Sequence, residues 1–302
     1  MYTESVQALS DQAVTKIKEQ RRSLAAHLVR SMLAGMYVAA AIVLIFSIGG
    51  SISEVAKPFV PMVMGICFGG ALTIVIFAGS ELFTGSNLVM TLGVLTRKTR
   101  VADLLTNWGW TWLGNLAGSA LIAVLVVRSG VFDAEPIKTF VLKLVEKKMN
   151  YGVEALLYRS ILANWLVCLG VWMAARIKNE AARVLMIWWC MFTFITCGYE
   201  HSIANMCGLL LGLLLPHEGF NITWTGTPTT LACRRWATSS AGRCSWEWRT
   251  GSAAPSCGGR RNRRRRSRSM ARCGPRPRPW PRWNEFTARG KFPTLSTGVA
   301  PS

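Results

Sequence analysis

The chain contains few charged residues for its length. Asp, Glu, Lys and Arg together make up 17% of its 302 residues, whereas soluble domains usually contain about 25%. Hydrophobic residues make up 51% of the chain and occur in long runs. Because a water-soluble fold needs more charge and shorter apolar runs, these features favour an integral membrane protein.

The sequence also lacks the arrangements that enzymes and metalloproteins use. It contains no nucleophile–base pair, no cluster of metal ligands and no Gly-rich phosphate loop. The nine cysteines include no CxxC pair, and five of them lie in or beside apolar runs, where cysteine behaves as a small buried hydrophobic residue. The polar N-terminus shows no cleavable signal peptide. We therefore predict that the protein is not an enzyme, and we expect no cofactor, bound metal or disulfide framework.

Five long apolar segments follow a polar stretch, residues 1–28, that we predict to be a cytoplasmic helix. The segments cover residues 29–49, 58–95, 105–127, 155–175 and 183–215. A straight membrane-spanning helix needs about 20 apolar residues, so the second and fifth segments are too long for one simple span. We therefore predict an all-α integral membrane protein whose transmembrane channel domain has five spans over residues 29–225.

Polar motifs interrupt the second and fifth segments, at residues 78–87 and 197–206, and the motifs resemble each other. One contains GSELFTGSN and the other GYEHSIAN, so that Gly is followed two residues later by Glu81 or Glu200 and then by Asn. The motifs lie three spans apart, and an odd number of spans reverses the orientation in the membrane. Inverted repeats with matching broken helices are a known transporter design, in which the substrate path passes the breaks.

Basic residues predict the orientation of the spans. They cluster in the N-terminal stretch, in residues 97–100 and in residues 176–183. These three stretches alternate with the spans so that all of them lie on one side, which the positive-inside rule assigns to the cytoplasm. The loop at residues 128–154 carries charges of both signs and is predicted to lie outside.

The end of the chain does not continue this pattern. A three-plus-three repeat requires a sixth span that matches the third, which contains TWLGNLAGSALIAVL, but residues 226–302 are rich in Arg, Trp, Ser and Pro. Residues 1–220 hold 18 basic and 13 acidic residues, whereas residues 221–302 carry +15 of the total formal charge of +20. One interpretation is a genuine basic tail of low order that binds RNA or anionic lipid. The alternative is out-of-frame translation, which leaves the Arg-rich run without functional meaning.

The genetic code favours the second interpretation. When residues 235–255 are read from the third base of each codon, Trp236 followed by Ala237 forces Gly, and Ala237 followed by Thr238 gives NAC, a codon set that includes Asn. Ordinary codon choices then yield LGNIVGGPLFMGVAYWVGSPK, an apolar sequence whose start is similar to the LGNLAGS of the third span. We therefore predict that a frameshift after about residue 226 removes the sixth span.

Three motifs, GSELFTG, ILANWLVCL and GYEHSIANM, carry a resemblance to the formate/nitrite channel family, closest to its nitrite branch. The resemblance covers residues 1 to about 225 and continues in the shifted frame. It implies a six-span protomer with an aquaporin-like fold, a homopentamer with one pore per protomer, and a pore at the two interruptions. The departure from the family is the missing sixth span.

The resemblance also implies which side chains line the pore. His201 corresponds to the central histidine of the family, Thr84 to its loop threonine, and Lys148 and Asn164 to its pore lysine and asparagine. The apolar constrictions of the family correspond to Phe68, Leu72, Leu82, Phe83, Val167 and Phe194.

Each polar candidate also has a structural interpretation. His201 can be an ordinary buried histidine, or it can donate a hydrogen bond or a proton to a weak-acid anion, since imidazole titrates near neutral pH. Thr84 can cap a helix or bind the anion. Lys148 can be an interfacial lysine or a charge that attracts anions to the pore mouth. Asn164 can join two helices or line the pore.

The repeated acidic residues, Glu81 and Glu200, would repel an anion inside a pore. We therefore expect structural roles for both, tying the loop amides together. The phenylalanines can be ordinary packing or dry constrictions that admit only dehydrated or neutralised solutes.

The sequence thus favours passage of nitrite, formate or both through a bacterial-type inner membrane, with possible proton coupling through His201. The expected partners are the lipid bilayer and further copies of the chain in a homopentamer, with no nucleic acid. One alternative is a neutral-solute pore for water, glycerol or ammonia, in which Lys148 has no purpose. A second alternative is a membrane-anchored protein whose basic tail binds RNA or lipid, so that deletion of residues 227–302 abolishes binding.

Overall fold

The computed structural model describes residues 2–224. Helices dominate this part of the chain, which contains no strand. The helices are α1 (Tyr2–Arg22), α2 (Leu24–Ile52), α3 (Val60–Phe68), α4 (Gly70–Phe77), α5 (Phe83–Leu95), α6 (Val101–Arg128), α7 (Ile137–Met149), α8 (Val153–Arg176), α9 (Glu180–Thr196) and α10 (Ser202–Leu214). The predicted all-α membrane class is confirmed, since α2, α6, α8 and the segment Lys57–Phe77 are each long and apolar enough to cross a membrane. The predicted basic tail, with its frameshift, lies outside the described residues.

The second and fifth apolar segments are each divided into two helical parts. Residues 78–82 separate α4 from α5, and residues 197–201 separate α9 from α10. The sequence analysis predicts longer interruptions, at 78–87 and 197–206. The difference arises because the later polar residues of each motif, Thr84 among them, form the first turn of the following helix, where unpaired backbone N–H groups favour polar neighbours.

Both interruptions begin at a glycine in the left-handed conformation. The backbone angle φ is 65° at Gly79 and 69° at Gly198, a region that residues with a Cβ atom avoid. The next N–H group, of Ser80 or Tyr199, then bonds to the carbonyl five residues earlier at 3.1 Å in both cases. The two motifs therefore end their helices in the same way, and residues of one correspond to residues 119 positions later in the other.

The correspondence also includes the long helix at the start of each half of the repeat, which is α2 in the first half and α8 in the second. The N–H of Glu81 bonds to the carbonyl of Arg30 in α2 at 3.2 Å, and the N–H of Glu200 bonds to the carbonyl of Arg159 in α8 at 3.4 Å. Helices α2 and α8 therefore hold equivalent positions beside the two breaks. The predicted repeat is thus present in the backbone hydrogen bonds.

Small residues allow α6 to approach α2 closely. A Cβ atom at Gly35 would lie 2.2 Å from the carbonyl oxygen of Asn115, and one at Gly118 would lie 2.0 Å from the carbonyl oxygen of Met32. Contacts between backbones at this range are typical of membrane helices that pack through small residues. The close approach places the Asn115 side chain against the first break.

Two amphipathic helices lie at opposite ends of the bundle. Helix α1 packs beside the beginning of α2, where Arg30 pairs with Glu19 at 2.9 Å. Helix α7 packs beside the end of α2, because Gly50 there leaves room for the backbone of Ile137. The sequence analysis did not predict α7, since residues 128–154 were expected to be a loop.

Helix α1 is shorter than the polar stretch from which it was predicted. It ends at Arg22, because Ser23 adopts an extended backbone and its side chain accepts a hydrogen bond from the N–H of Ala26 at 3.2 Å. This side-chain cap starts α2 at Leu24. Helix α2 therefore begins before residue 29, the boundary that the sequence predicts for the channel domain.

Candidate functional site

Two side chains from different halves of the molecule meet at the centre of the bundle. Thr84 lies in the first turn of α5, and His201 is the residue that precedes α10. The Nε2 atom of His201 lies 2.9 Å from the Oγ1 atom of Thr84, and both residues are buried. The structure therefore brings the two residues that the sequence placed at opposite interruptions into direct contact.

The backbone of α10 determines which ring nitrogen of His201 carries the hydrogen. Its Nδ1 atom accepts a hydrogen bond from the N–H of Ala204 at 3.0 Å, so that His201 caps the helix. A neutral imidazole has one N–H group, and since Nδ1 is the acceptor, that group is at Nε2. The ring therefore donates to Thr84, and the Thr84 hydroxyl keeps its own hydrogen for another acceptor.

Two helix N-termini converge on this pair. Helix α5 begins at Phe83 and α10 at Ser202, so each first turn adjoins the Thr84–His201 bond. A helix N-terminus carries a partial charge of about +0.5, and its unpaired N–H groups favour anions. The centre of the bundle is thus polarised to receive a negatively charged solute.

A small central cavity of about 10 Å³ lies beside His201. A cavity of this size holds about one water molecule. Apolar side chains form most of its wall, and the ring of Phe194 lies 5.8 Å from that of Phe68 and 5.7 Å from that of His201. The lining residues are Val38, Phe68, Ala71, Leu72, Leu82, Val167, Met191, Phe194 and His201.

Five of the six apolar residues that were expected to form constrictions line this cavity, and Phe83 does not. The Phe83 ring is fully buried and packs edge-on against Trp108 of α6, with 6.0 Å between the ring centroids. Successive residues of a helix point about 100° apart, so Phe83 and Leu82 face different neighbours. In this structure Phe83 packs between α5 and α6, and its place in the pore wall stays a prediction.

A cavity of about 280 Å³ opens on the side of α1, and we call it the α1-side vestibule. Its polar wall includes Gln12, Lys16 and Glu81. Leu72 and Leu82 line both this vestibule and the central cavity. These two leucines therefore separate the α1-side vestibule from the Thr84–His201 pair.

A larger cavity of about 800 Å³, the α7-side vestibule, opens at the other end. His201 and Phe194 line both this vestibule and the central cavity. Basic side chains predominate among its charged residues, which are Glu54, Lys57, Lys143, Lys147, Lys148, Arg159 and Glu200. The vestibule therefore presents an excess of positive charge to a solute that approaches the centre.

Lys148 is held by an ion pair at the base of the α7-side vestibule. Its Nζ atom lies 2.8 Å from both carboxylate oxygens of Glu200 and 3.2 Å from the Oδ1 atom of Asn205. The side chain of Glu200 is only 3% exposed. Glu200 was expected to tie loop amides together; its carboxylate accepts a hydrogen bond from the side-chain amide of Asn205 at 2.8 Å and also joins α7 to the break before α10.

The same arrangement occurs in the α1-side vestibule, where sequence reasoning had missed it. Lys16 of α1 donates a hydrogen bond to the carboxylate of Glu81, and both side chains are almost buried. Lys16 and Lys148 thus make equivalent contacts with the two repeated glutamates, each from an amphipathic helix outside the repeat. The sequence had given Lys16 only a role in orienting the protein in the membrane. The repetition of Glu81 as Glu200 was the signal from which a second lysine partner could have been predicted.

Asn164 joins helices rather than lining any of these three cavities. Its Oδ1 atom accepts a hydrogen bond from Asn87 of α5 at 3.4 Å, and its amide contacts the thiol of Cys168 at 3.5 Å. The residue is completely buried between α5 and α8. These contacts are of the interhelical kind that its type and position also allowed, and the pore role of Asn164 stays a prediction.

A second buried histidine belongs to the helix packing. The Nε2 atom of His27 in α2 lies 3.1 Å from the Oγ1 atom of Thr111 in α6. Among residues 2–224, no group of three or more His, Cys, Asp or Glu side chains is arranged to hold a metal ion.

The chain is similar to the proteins of a known family. A family model described as formate/nitrite transporter matches residues 3–233. The nitrite transporter NirC of Salmonella typhimurium is 36% identical over 241 residues, which cover 77% of this chain and 88% of that protein. A probable formate transporter of Methanothermobacter thermautotrophicus is 31% identical over 230 residues, which cover 70% of this chain and 82% of that protein.

Solved structures give the same result. An ion channel of the FNT family superposes with a TM-score of 0.76 at 33% identity, covering 84% of this chain and all of the other. A pentameric formate channel with formate bound superposes with a TM-score of 0.64 at 19% identity, covering 74% of this chain and 95% of the other. At that identity the second match shows a shared fold.

Proposed function

Because this chain belongs to the formate/nitrite transporter family, we propose that it passes nitrite and formate through a pore at the Thr84–His201 pair. Proteins of this family are transporters and channels, so the chain is not an enzyme but a multi-pass protein of a bacterial inner membrane that transports small monovalent anions. The proposal concerns the cargo, the residues that select it and the way they act.

The observation that carries the proposal is the direction of hydrogen bonding at the centre. His201 accepts from the backbone at Nδ1 and donates to Thr84 at Nε2, which leaves the Thr84 hydroxyl as a donor. An oxyanion such as nitrite or formate offers acceptor oxygens only. The hydroxyl and the two helix N-termini therefore match its charge and its hydrogen-bonding needs.

The size of the central cavity explains why only small anions are proposed as cargo. A space of about 10 Å³ cannot admit an ion together with its water shell, so the solute must lose water between the leucines and phenylalanines. Removing a charge from water is costly unless donors replace the water. Thr84 and the N-termini of α5 and α10 supply such donors at the narrowest point.

The capped ring favours a hydrogen-bonding role for His201 over a role as proton donor. A protonated imidazole has N–H groups on both nitrogens, so Nδ1 would face the N–H of Ala204 and lose the cap. In our proposal the ring stays neutral and orients the Thr84 hydroxyl. Proton coupling through His201, the alternative raised by the sequence, requires this cap to open in every cycle.

We propose that the two lysine–glutamate pairs are the last charged groups that an anion meets before the apolar centre. Lys148 and Lys16 lie at the bases of the two vestibules, and each is neutralised in part by its glutamate. A paired lysine can attract an anion without holding it tightly, which passage requires. The further basic residues of the α7-side vestibule, such as Lys147, raise the local concentration of anions.

We further propose that the chain assembles as a homopentamer, as the name of one structural relative states of that channel. The N-terminus is proposed to be cytoplasmic. The predicted basic stretches lie on the side of α1, since Lys98 pairs with Asp11 at 2.5 Å and Arg176 lies 4.9 Å from the ring of Tyr2. The positive-inside rule places that side in the cytoplasm.

A neutral-solute pore is the competing function, and uptake into proteoliposomes that contain the purified chain distinguishes the two. We expect nitrite and formate uptake that follows the anion gradient and exceeds that of empty liposomes, with competition between the two anions. The variant Phe83→Leu serves as the matched control, because the Phe83 side chain does not line the central cavity. Uptake of ammonia or water without uptake of either anion would refute the proposal.

A further inference from the structure

The two lysine–glutamate pairs differ in the side chain that accompanies them. In the second half, the amide of Asn205 donates a hydrogen bond to Glu200 at 2.8 Å, and its Oδ1 atom accepts one from Lys148 at 3.2 Å. Asn205 is the fourth residue of α10, which begins at Ser202. Its amide therefore completes a polar cluster at the base of the α7-side vestibule.

Ser86 is the equivalent residue in the first half. The offset of 119 residues that relates Gly79 to Gly198 also relates Ser86 to Asn205, and Ser86 is likewise the fourth residue of its half-helix, α5. The side chain of serine ends in a single hydroxyl, whereas that of asparagine ends in a planar amide. In the first half, a short hydroxyl side chain therefore stands where the second half has an amide.

The hydroxyl of Ser86 is buried without a partner. The residue is 2% exposed, and within residues 2–224 its Oγ atom makes no hydrogen bond. Its backbone groups are bonded, since its N–H donates to the carbonyl of Leu82 at 2.9 Å and its carbonyl accepts from Trp108 at 3.5 Å. A buried polar group without a partner is unfavourable and calls for an explanation, such as a functional role.

Ser86 lines the α1-side vestibule together with Gly85, Lys16 and Glu81. The first turn of α5 brings the positive end of the helix dipole to this wall, with N–H groups that have no acceptor inside the helix. Gly85 leaves the turn accessible, because the nearest neighbour of an added Cβ atom would be Val171 at 3.5 Å. The wall thus combines a hydroxyl, an ammonium group and a helix N-terminus.

We propose that this part of the α1-side vestibule is a second anion-binding site, in which nitrite or formate takes the place that the Asn205 amide has in the second half. Both anions are small and planar, like a carboxamide group. Their oxygens accept hydrogen bonds from the Ser86 hydroxyl and from the Lys16 ammonium group, which has three donor hydrogens and gives one to Glu81. The inference rests on the proposed function, because it concerns the same cargo before it crosses the leucines.

The carboxylate of Glu81 keeps this site weak. It has the same charge as the ion and is already paired with Lys16, so the ammonium group is shared between two negative partners. An ion held in this way leaves readily, as passage through a pore requires. On the α7 side, Asn205 bonds both members of the lysine–glutamate pair, so we expect no equivalent site there.

A nitrite titration of the melting temperature tests the site. The full chain is measured in detergent and carries Thr84→Val, which removes the central donor, so that stabilisation by nitrite reports binding in the vestibule. We expect Ser86→Ala in this parent to need about tenfold more nitrite for the same stabilisation, since it loses a hydrogen bond to a charged group. Ser86→Thr retains the hydroxyl and is expected to keep the response.

Thr91→Val is the matched control for this titration. Thr91 of α5 is also buried, and its hydroxyl also has no partner among the described residues, but it does not line the α1-side vestibule. We expect Thr91→Val to respond to nitrite as the parent does. An unchanged response in Ser86→Ala would overturn the site, and so would equal stabilisation of the parent by sodium gluconate at the same ionic strength.

Ser86→Asn reproduces the arrangement of the second half. Its amide is expected to bond Glu81 and Lys16 as Asn205 bonds its own pair. The melting temperature without nitrite should then rise, and the response to nitrite should disappear. A variant that melts lower and still responds to nitrite would contradict the equivalence of the two positions.

Uptake separates failure of the site from failure of the proposed function. Nitrite enters right-side-out and inside-out membrane vesicles from opposite vestibules, so we expect Ser86→Ala to raise the half-saturating nitrite concentration in one vesicle type only. An unchanged concentration in both types, with normal uptake by the unmodified chain, overturns the site and leaves the proposed function intact. Absence of uptake by the unmodified chain overturns the proposed function itself.

Discussion

The imidazole of His201 and the hydroxyl of Thr84 lie 2.9 Å apart although 117 residues separate them in the chain. Each residue stands next to the N-terminus of a half-helix, one in each repeat. They are not equivalent residues, because the counterparts at an offset of 119 are Leu82 for His201 and Ile203 for Thr84. The site is therefore a place where the two halves differ.

Replacement of Thr84 tests the proposed donor to the anion. Thr84→Val keeps the shape of the side chain but removes the hydroxyl, whereas Thr84→Ser keeps the hydroxyl. A hydrogen bond to a charged group contributes about 1.5–3 kcal/mol, and 1.4 kcal/mol corresponds to a factor of ten. We therefore expect a tenfold to hundredfold loss, on the order of that energy, of nitrite uptake in Thr84→Val and near-normal uptake in Thr84→Ser. Equal uptake by both variants contradicts the donor role.

Replacement of His201 separates a hydrogen-bonding role from a proton-donating one. His201→Asn retains a good N-cap for α10 but cannot reach Thr84. We expect nitrite uptake to fall at every pH between about 5 and 8, around the ordinary titration range of imidazole, while the shape of the pH profile is unchanged. A profile that becomes flat in His201→Asn would instead show that the ring supplies the proton.

The ion pair between Lys148 and Glu200 allows stability to be separated from attraction of anions. Lys148→Met leaves a buried carboxylate without its partner, and breaking a buried pair costs about 3–5 kcal/mol. We expect a lower melting temperature for Lys148→Met and recovery of most of the loss in the double variant Lys148→Met/Glu200→Gln, measured in detergent.

Uptake by the double variant then reports the attraction of anions alone. If the lysine draws nitrite to the pore, uptake stays low although the protein is stable again. Lys16→Met/Glu81→Gln removes the equivalent pair in the other vestibule, and the same proposal predicts low uptake for it as well. A double variant of the α7-side pair that regains full uptake at low nitrite concentration would leave Lys148 with a structural role only.

Exposed lysines of α7 provide a test of long-range attraction. Lys143 and Lys147 line the α7-side vestibule and are exposed, so their effect on anions acts through the solvent. Such effects are screened within about 8 Å at physiological ionic strength. We expect Lys143→Gln/Lys147→Gln to reduce nitrite uptake at low salt and to match the unmodified chain at high salt. Lys138→Gln, on the same helix but outside the vestibule wall, serves as the control, and a salt-independent loss contradicts the prediction.

The repeat and the breaks could be predicted from the sequence because each depends on a short stretch of residues. Each motif contains a glycine and then a glutamate, and the glycine is required by the left-handed backbone at Gly79 and Gly198. Such backbone geometry is determined by one short segment. It did not predict the partner of Glu81, since Lys16 lies 65 residues away on a helix whose position depends on tertiary packing. Helix α7 was missed because a short amphipathic helix carries no signal of membrane-spanning length.

Two residues that were expected to line the pore make other contacts in the structure, for reasons of helical phase and hydrogen bonding. Phe83 follows Leu82 directly, and successive residues of a helix point about 100° apart. The Phe83 ring therefore lies against Trp108 rather than towards the centre. Asn164 has the chemistry of a pore donor, but its amide is engaged with Asn87 and Cys168. Neither the direction of a side chain nor its partners can be obtained from residue type alone.

We predict that the leucines between the α1-side vestibule and the central cavity control which anions pass. Leu72 packs against Gly170, where an added Cβ atom would lie 3.0 Å from its Cδ2 atom, so Leu72→Ala opens space next to the centre. We expect acetate and lactate to pass this variant more readily, with about a tenfold fall in the ratio of nitrite to lactate uptake, similar to the discrimination that a removed methylene group gives in an apolar pocket. Ile74→Ala changes an exposed residue two positions along the helix, on its other side, and is expected to leave the ratio unchanged. If Leu72→Ala also leaves it unchanged in proteoliposomes, the constriction that selects small anions lies elsewhere, and the Phe68–Phe194 pair becomes its place.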